Sequence, residues 1–211
     1  MPCRVVCVSG LDGAQMHEVA AGIASRLGFT LVDEAIITRA AGEAGVEPRV
    51  VADVERRQTF MSRLLDALSS SSDATGYAFS GGVSVYAAAE IPMSDELRGL
   101  IRTAIEETSA RGNVVIVSHA ASHALAARTD VLRVLVTASR ETRCARVAAA
   151  QGMGEQDAGR AVDESDSARA DYLKRFYGVR SELPTQYDIV VNTDRLAPDA
   201  AVSLVTLAAG H

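Results

Sequence analysis

Arg4 to His17 reads RVVCVSGLDGAQMH, and this stretch decides the fold. Arg4 to Val8 is a short β-branched run, the way a buried strand reads. It ends in Ser9-Gly10-Leu11-Asp12-Gly13, after which Val19, Ala20, Ile23, Ala24 and Leu27 recur at helical spacing. The sequence therefore goes strand, glycine turn, helix.

The same rhythm continues outward from that turn. Gly28 stops the helix, and Phe29 to Val32 forms a second aliphatic run that leads into Asp33-Glu34. Asn113 to Val117, Val131 to Val136 and Tyr187 to Val191 read as three more strands, each set off by helical sequence. Alternation of this kind predicts a mainly parallel five-stranded sheet with helices on both faces, since parallel pairing needs crossovers. Val46 to Leu68 is charged and helical with an intermittent apolar stripe, Ser69 to Gly82 reads as a mobile loop, and Pro92 to Glu96 opens a helix that runs to Gly112.

The chain has 211 residues, which fits one domain spanning 1–211. Apolar residues make up 48% and aromatic ones only 4%, so the core is built from small aliphatic side chains. A formal net charge of -6 argues against a nucleic-acid partner, whose phosphates need a basic surface, yet leaves room for a small anion held by a local group of arginines. Cys3, Cys7 and Cys144 are odd in number and lack metal-ligand spacing, so they read as reduced packing residues, and no protein-held metal site is expected. No apolar stretch reaches the roughly 20 residues that cross a bilayer, and Met1 to Gly10 lacks a signal-peptide layout, so the expectation is a cytoplasmic protein with no membrane partner.

In a doubly wound sheet, ligands settle at the carboxyl ends of the strands. The turn from Ser9 to His17 stands where a phosphate loop would, because backbone N–H groups before a helix N-terminus cradle anions. A Walker loop begun at Gly10 needs Gly, Lys and Ser or Thr at positions 15 to 17, where this chain has Gln15, Met16 and His17. By residue type alone, the turn serves equally as a phosphate loop or as a plain strand-to-helix bend. Arg140, Arg143 and Arg146 lie three apart after the fourth strand, either a polyphosphate clamp or solvated surface arginines. Asp163, Asp166 and Arg169 follow at spacings of three, either a segment that closes over nucleotides or an ordinary salt-bridged helix.

Taken together, VSGLDG at the first turn, LGFTLVDEAIITRAA, GNVVIVSHAA, VLRVLVTASRETRCARV, DESDSARADY and YDIVVNTDRL resemble the cytidylate kinase-like family of P-loop proteins, within the wider nucleoside monophosphate kinase group. The similarity runs over nearly the whole chain and is weakest from Ser69 to Pro92. It implies a P-loop NTPase-like three-layer α/β/α sandwich with a core of 1–33 and 113–211, a helical acceptor-site insertion at about 34–112 and a lid at about 152–180. It implies ATP and Mg²⁺ as cofactors, with nucleotides as small-molecule partners. Ser9, Gly10, Gly13, Ala14, Gln15, Met16 and His17 would form the phosphate loop and Arg146 would face the donor phosphates. Arg143, Asp166 and Arg169 would be the catalytic set, and Asp33 and Asp163 would border the acceptor nucleotide.

The chain departs from that pattern where cations are expected. Met16 stands in place of Lys, His17 in place of a loop arginine, Ser118-His119 in place of a Gly-Arg pair, and Val162 in place of the first arginine of R-D-x-x-D-S-x-R. One positioned arginine is worth roughly 10³–10⁵ in phosphoryl-transfer rate. Three readings therefore stand: an enzyme that phosphorylates a nucleoside monophosphate, CMP being the acceptor the resemblance implies; a nucleotide-binding or regulatory protein of the same fold without turnover; and a kinase with a non-nucleotide acceptor.

Overall fold

A computed structural model describes residues 3–33, 95–117 and 121–210. In chain order these form β1 (Val5–Gly10), α1 (Met16–Leu27), β2 (Thr30–Asp33), α2 (Asp95–Arg111), β3 (Val114–Val117), α3 (Ala121–Ala124), β4 (Val131–Thr137), α4 (Arg140–Gln151), α5 (Glu155–Tyr177), a 3₁₀ turn (Pro184–Gln186), β5 (Ile189–Asn192) and α6 (Pro198–Ala208). All five strands expected from the aliphatic runs are present. The readings at Val46 to Leu68 and Ser69 to Gly82, and the Ser118-His119 pair, lie outside the described residues.

The sheet has the order β2-β3-β1-β4-β5, and every adjacent pair is parallel. Val8 pairs with Val117 on one side and Val134 on the other, which puts β1 at the centre. A parallel strand at the centre of a covered sheet must be apolar on both faces, and Val5, Val6, Cys7 and Val8 are each 0% exposed. On one face Val6 and Val8 pack with Val19 and Ile23 of α1 and Val202 and Val205 of α6. On the other, α2 lies against β3 and α3 against β1. The result is the three-layer α/β/α sandwich, and it sets the β1–α1 turn over the middle of the sheet, beside the point where the crossovers change direction.

Two termini fix how the polypeptide leaves that centre. Gly28 ends α1 in the left-handed conformation, its φ of 66° costing a residue without Cβ little, and its N–H bonds back into the helix. Ser139 caps α4, its hydroxyl accepting from the Thr142 N–H, and Asp194 accepts from the Ser139 N–H at 2.9 Å, which ties the end of β5 to the start of α4. All three cysteines are free; burial pushes the Cys7 thiol up to about 12, so it packs as an inert hydrophobe. Among the described residues no helix is long and apolar enough to cross a membrane, and no three His, Cys, Asp or Glu side chains gather as metal ligands.

Candidate functional site

The turn between β1 and α1, residues 11–15, is held in a defined backbone course. Ala14 N–H closes it by donating to Leu11 O at 3.0 Å. Gly13 has φ of 79°, and a Cβ there would stand 2.7 Å from the Arg143 carbonyl oxygen, so only glycine fits. Gln15, where the Walker pattern places glycine, holds φ 62° and ψ 30°. A non-glycine residue in that conformation costs roughly 1–2 kcal/mol. Gln15 makes no side-chain cap to α1; its amide instead donates to Glu18 at 2.8 Å. The first amides of α1 are thus left uncapped by a side chain, which is the arrangement that receives anions.

Met16 occupies the lysine position and points inward. It is 6% exposed and belongs to the core cluster with Val8, Ala14 and Val136. His17, half-buried on the first turn of α1, has its imidazole pKa lowered by burial, while the charges of Asp33 and Asp12 pull the other way. The balance keeps it neutral near pH 7. Asp33 ends β2, half-buried and level with Val117 of β3.

Arg143 and Arg146 approach the turn from behind and grip its carbonyls. Arg143, 3% exposed, donates to Asp12 O at 3.4 Å and forms a double hydrogen bond to Asp166 at 2.8 and 2.6 Å. Its Nε is buried without a hydrogen-bond partner. Arg146 donates to Gly13 O at 3.1 Å and to the hydroxyl and carbonyl of Thr193 at 3.0 and 2.9 Å. Thr193 Oγ1 in turn lies 3.1 Å from Ala14 O. From α5, Ser165 donates to the Asp12 carboxylate at 2.6 Å. The turn is therefore fastened to α4, α5 and the end of β5 through four side chains.

A second buried network starts at Ser9, the residue before the turn's first glycine. Its hydroxyl is 3.2 Å from that of Ser122 on α3, and it also meets the Tyr187 phenol. Tyr187 donates to Glu182, which accepts two further bonds from Arg169 at 2.9 and 2.5 Å. Burial and then the Glu182 hydrogen bond raise the Tyr187 pKa, so the phenol stays protonated as a donor. Burial alone would raise Glu182, but the hydrogen bonds and charge of Arg169 outweigh it and hold the carboxyl below its usual range. His123 stacks beside this network, 5.7 Å from the Tyr177 ring and 6.4 Å from that of Tyr187, with Nε2 buried and unbonded.

The residues singled out in the sequence thus separate into three places. Ser9, Gly10, Gly13, Ala14, Gln15, Met16, His17, Arg143, Arg146 and Asp166 converge on the turn. Arg169 is linked to the turn through Glu182, Tyr187 and Ser9. Asp163 lies on the outer side of α5, paired with Arg140 at 2.6 Å, both more than half exposed. Val162 is 1% exposed and packs with Val147 and Ala158 between α4 and α5, so the position that lacks its arginine has become core. The sequence does not single out Ser122, Ser165, Glu182, Tyr187 or Thr193 as site residues, although Ser165, Tyr187 and Thr193 lie within DESDSARADY and YDIVVNTDRL. Those stretches are the signal for these three; Ser122 and Glu182 lie outside them.

Comparison with known proteins agrees with this architecture. The model of the cytidylate kinase-like family matches residues 5–195. A cytidylate kinase of Ignicoccus hospitalis is 30% identical over 125 residues, which is 59% of this chain and 72% of that protein. Among solved structures, an uncharacterized protein from Eubacterium ventriosum superposes with a TM-score of 0.65 at 14% identity, covering 98% of each chain. A shikimate kinase from Bacteroides thetaiotaomicron gives 0.54 at 14% identity and 99% coverage of both. Identities this low establish the fold alone.

Proposed function

This chain belongs to the cytidylate kinase-like family, and from that premise we propose that it is a nucleotide kinase-like phosphotransferase that moves the γ-phosphoryl group of ATP to a nucleoside monophosphate, with CMP the favoured acceptor. The observation that carries the reading is the β1–α1 turn: glycine at 13, a left-handed residue at 15, an uncapped helix start, and two guanidiniums bonded to its carbonyls. The amides of Gly13 and of Gln15 to His17 would take the donor phosphates, with Ser9, Gly10 and Ala14 shaping the bend and the Ala14 N–H already donating to Leu11. Arg146, bonded only to neutral oxygens, supplies the positive charge behind it.

Phosphoryl transfer asks the protein mainly to position reactants and offset charge, so an absent lysine weakens the site without removing it. A monophosphate oxygen is itself the nucleophile and needs no strong base, which suits a site whose imidazole is neutral. Asp33, at the end of β2, would orient the acceptor, whereas Asp163, paired with Arg140 on the outer side of α5, is given no part in it. Asp166 fixes Arg143 against the turn, and Arg169 anchors α5 to Ser9. Magnesium, carried on the nucleotide, would neutralise phosphate charge. It takes oxygen ligands, so the Asp33 carboxylate, rather than neutral His17, would be its protein contact.

Two observations favour a second reading, a nucleotide-binding protein of this fold with little turnover. Met16 is core, and both Arg143 and Arg169 are already neutralised by doubly bonded carboxylates. A coupled assay with ATP, Mg²⁺ and each of CMP, dCMP, UMP and AMP separates the two. Turnover fastest with CMP, reduced at least about 10²-fold in Arg146→Ala, is the expected outcome, with the melting temperature followed because Arg146 also fastens the turn. Nucleotide binding without turnover for any acceptor would leave the second reading standing.

A further inference from the structure

Between Ser9 and His17 the one side chain charged at neutral pH is Asp12, an acid in a turn whose task would be to hold anions. Its carboxylate is not swung into solvent. Ser165 of α5 holds one oxygen at 2.6 Å, and its influence is felt at His17 on the first turn of α1. Among the described residues the cations nearby do little to offset it. Arg143 is matched by Asp166, and Glu18 adds a second acid to the first turn of α1, which leaves Arg146, behind the Gly13 peptide, as the positive charge not paired with a carboxylate. Charges in a half-buried, tethered setting are screened less than on open surface.

On the reading that this turn receives nucleotide phosphates, we propose that Asp12 is a specificity-determining residue that grades ligands by phosphate charge, repelling a triphosphate most and a monophosphate least. Tethering by Ser165 gives the repulsion its force, because a free carboxylate would turn away as the ligand entered. The turn then holds metal-free ATP poorly and admits nucleotides whose charge is low or already offset.

Calorimetric titration of the full chain with AMP, ADP and ATP, and with ATP plus Mg²⁺, tests this in the parent, Asp12→Asn and Ser165→Ala. Asparagine keeps an oxygen for Ser165 and removes only the charge. Asp12→Asn should tighten metal-free ATP by about tenfold or more, equivalent to about 1.4 kcal/mol, ADP by less and AMP little, and Ser165→Ala should recover part of that gain. An equal change for all three nucleotides, or none, would overturn the proposal while leaving the turn as the phosphate site. Loss of affinity confined to the Mg²⁺ titration would also overturn it, making the carboxylate a cation ligand. If no nucleotide bound any of the three proteins, the reading of the turn would fall with it.

Discussion

Arg169 and Glu182 meet through two hydrogen bonds, with 3% and 18% of their side chains exposed. Removing one partner of such a buried pair leaves the other charged and unsolvated, so Glu182→Gln should cost about 3 kcal/mol at neutral pH. The carboxyl is held below its usual range in the folded protein, which makes the unfolded chain the better proton binder at acid pH. The pair's contribution is therefore complete above the unfolded carboxyl's pKa of about 4.3 and is lost as pH falls through the lowered folded value. Melting temperatures of parent and Glu182→Gln should differ most at pH 7 and converge below about pH 4; a gap constant from pH 7 to pH 3 would contradict this. Arg169 stood out in the sequence because it closes a spaced pattern of acids and arginine. Glu182 did not, because thirteen residues and a helix end separate the partners and only the fold joins them.

At the scale of the element, the β1–α1 turn shows which part of a motif is backbone and which is side chain. Its location was legible, since an aliphatic strand running into Gly10 and Gly13 before a helical pattern reads as a strand-to-helix turn. The left-handed Gln15 was not, because the local sequence offers no glycine or asparagine there to announce it. Restoring glycine should relieve the strain: Gln15→Gly is expected to stabilise the protein by about 1 kcal/mol, a rise of about 2–4 °C for a chain of this size. An unchanged or lower melting temperature would show that the turn stores no strain. The arginines of α4 were legible as a spaced set but not by direction. Arg140 faces out to Asp163 while Arg143 and Arg146 turn in to the carbonyls of Asp12 and Gly13. Helical spacing gives the angle between side chains, not which of them meets the sheet.

For the whole molecule, all five strands could be read because a parallel sheet covered on both faces demands unbroken aliphatic runs. Their order, β2-β3-β1-β4-β5, could not, since Val114–Val117 and Val131–Val136 carry nothing that says which flanks Val5–Gly10 on which side. That order is what sets the turn over the centre of the sheet and lets side chains from α3, α4, α5 and β5 reach it. The most direct test of the turn as a phosphate site is amide ¹H–¹⁵N NMR of the full chain during titration with CMP and with ATP and Mg²⁺. The amides of Gly10 to Glu18 should shift with nucleotide, most strongly at Gly13 to His17, with smaller changes at Asp33. Nucleotide binding that left those amides unmoved while shifting another surface would contradict the assignment.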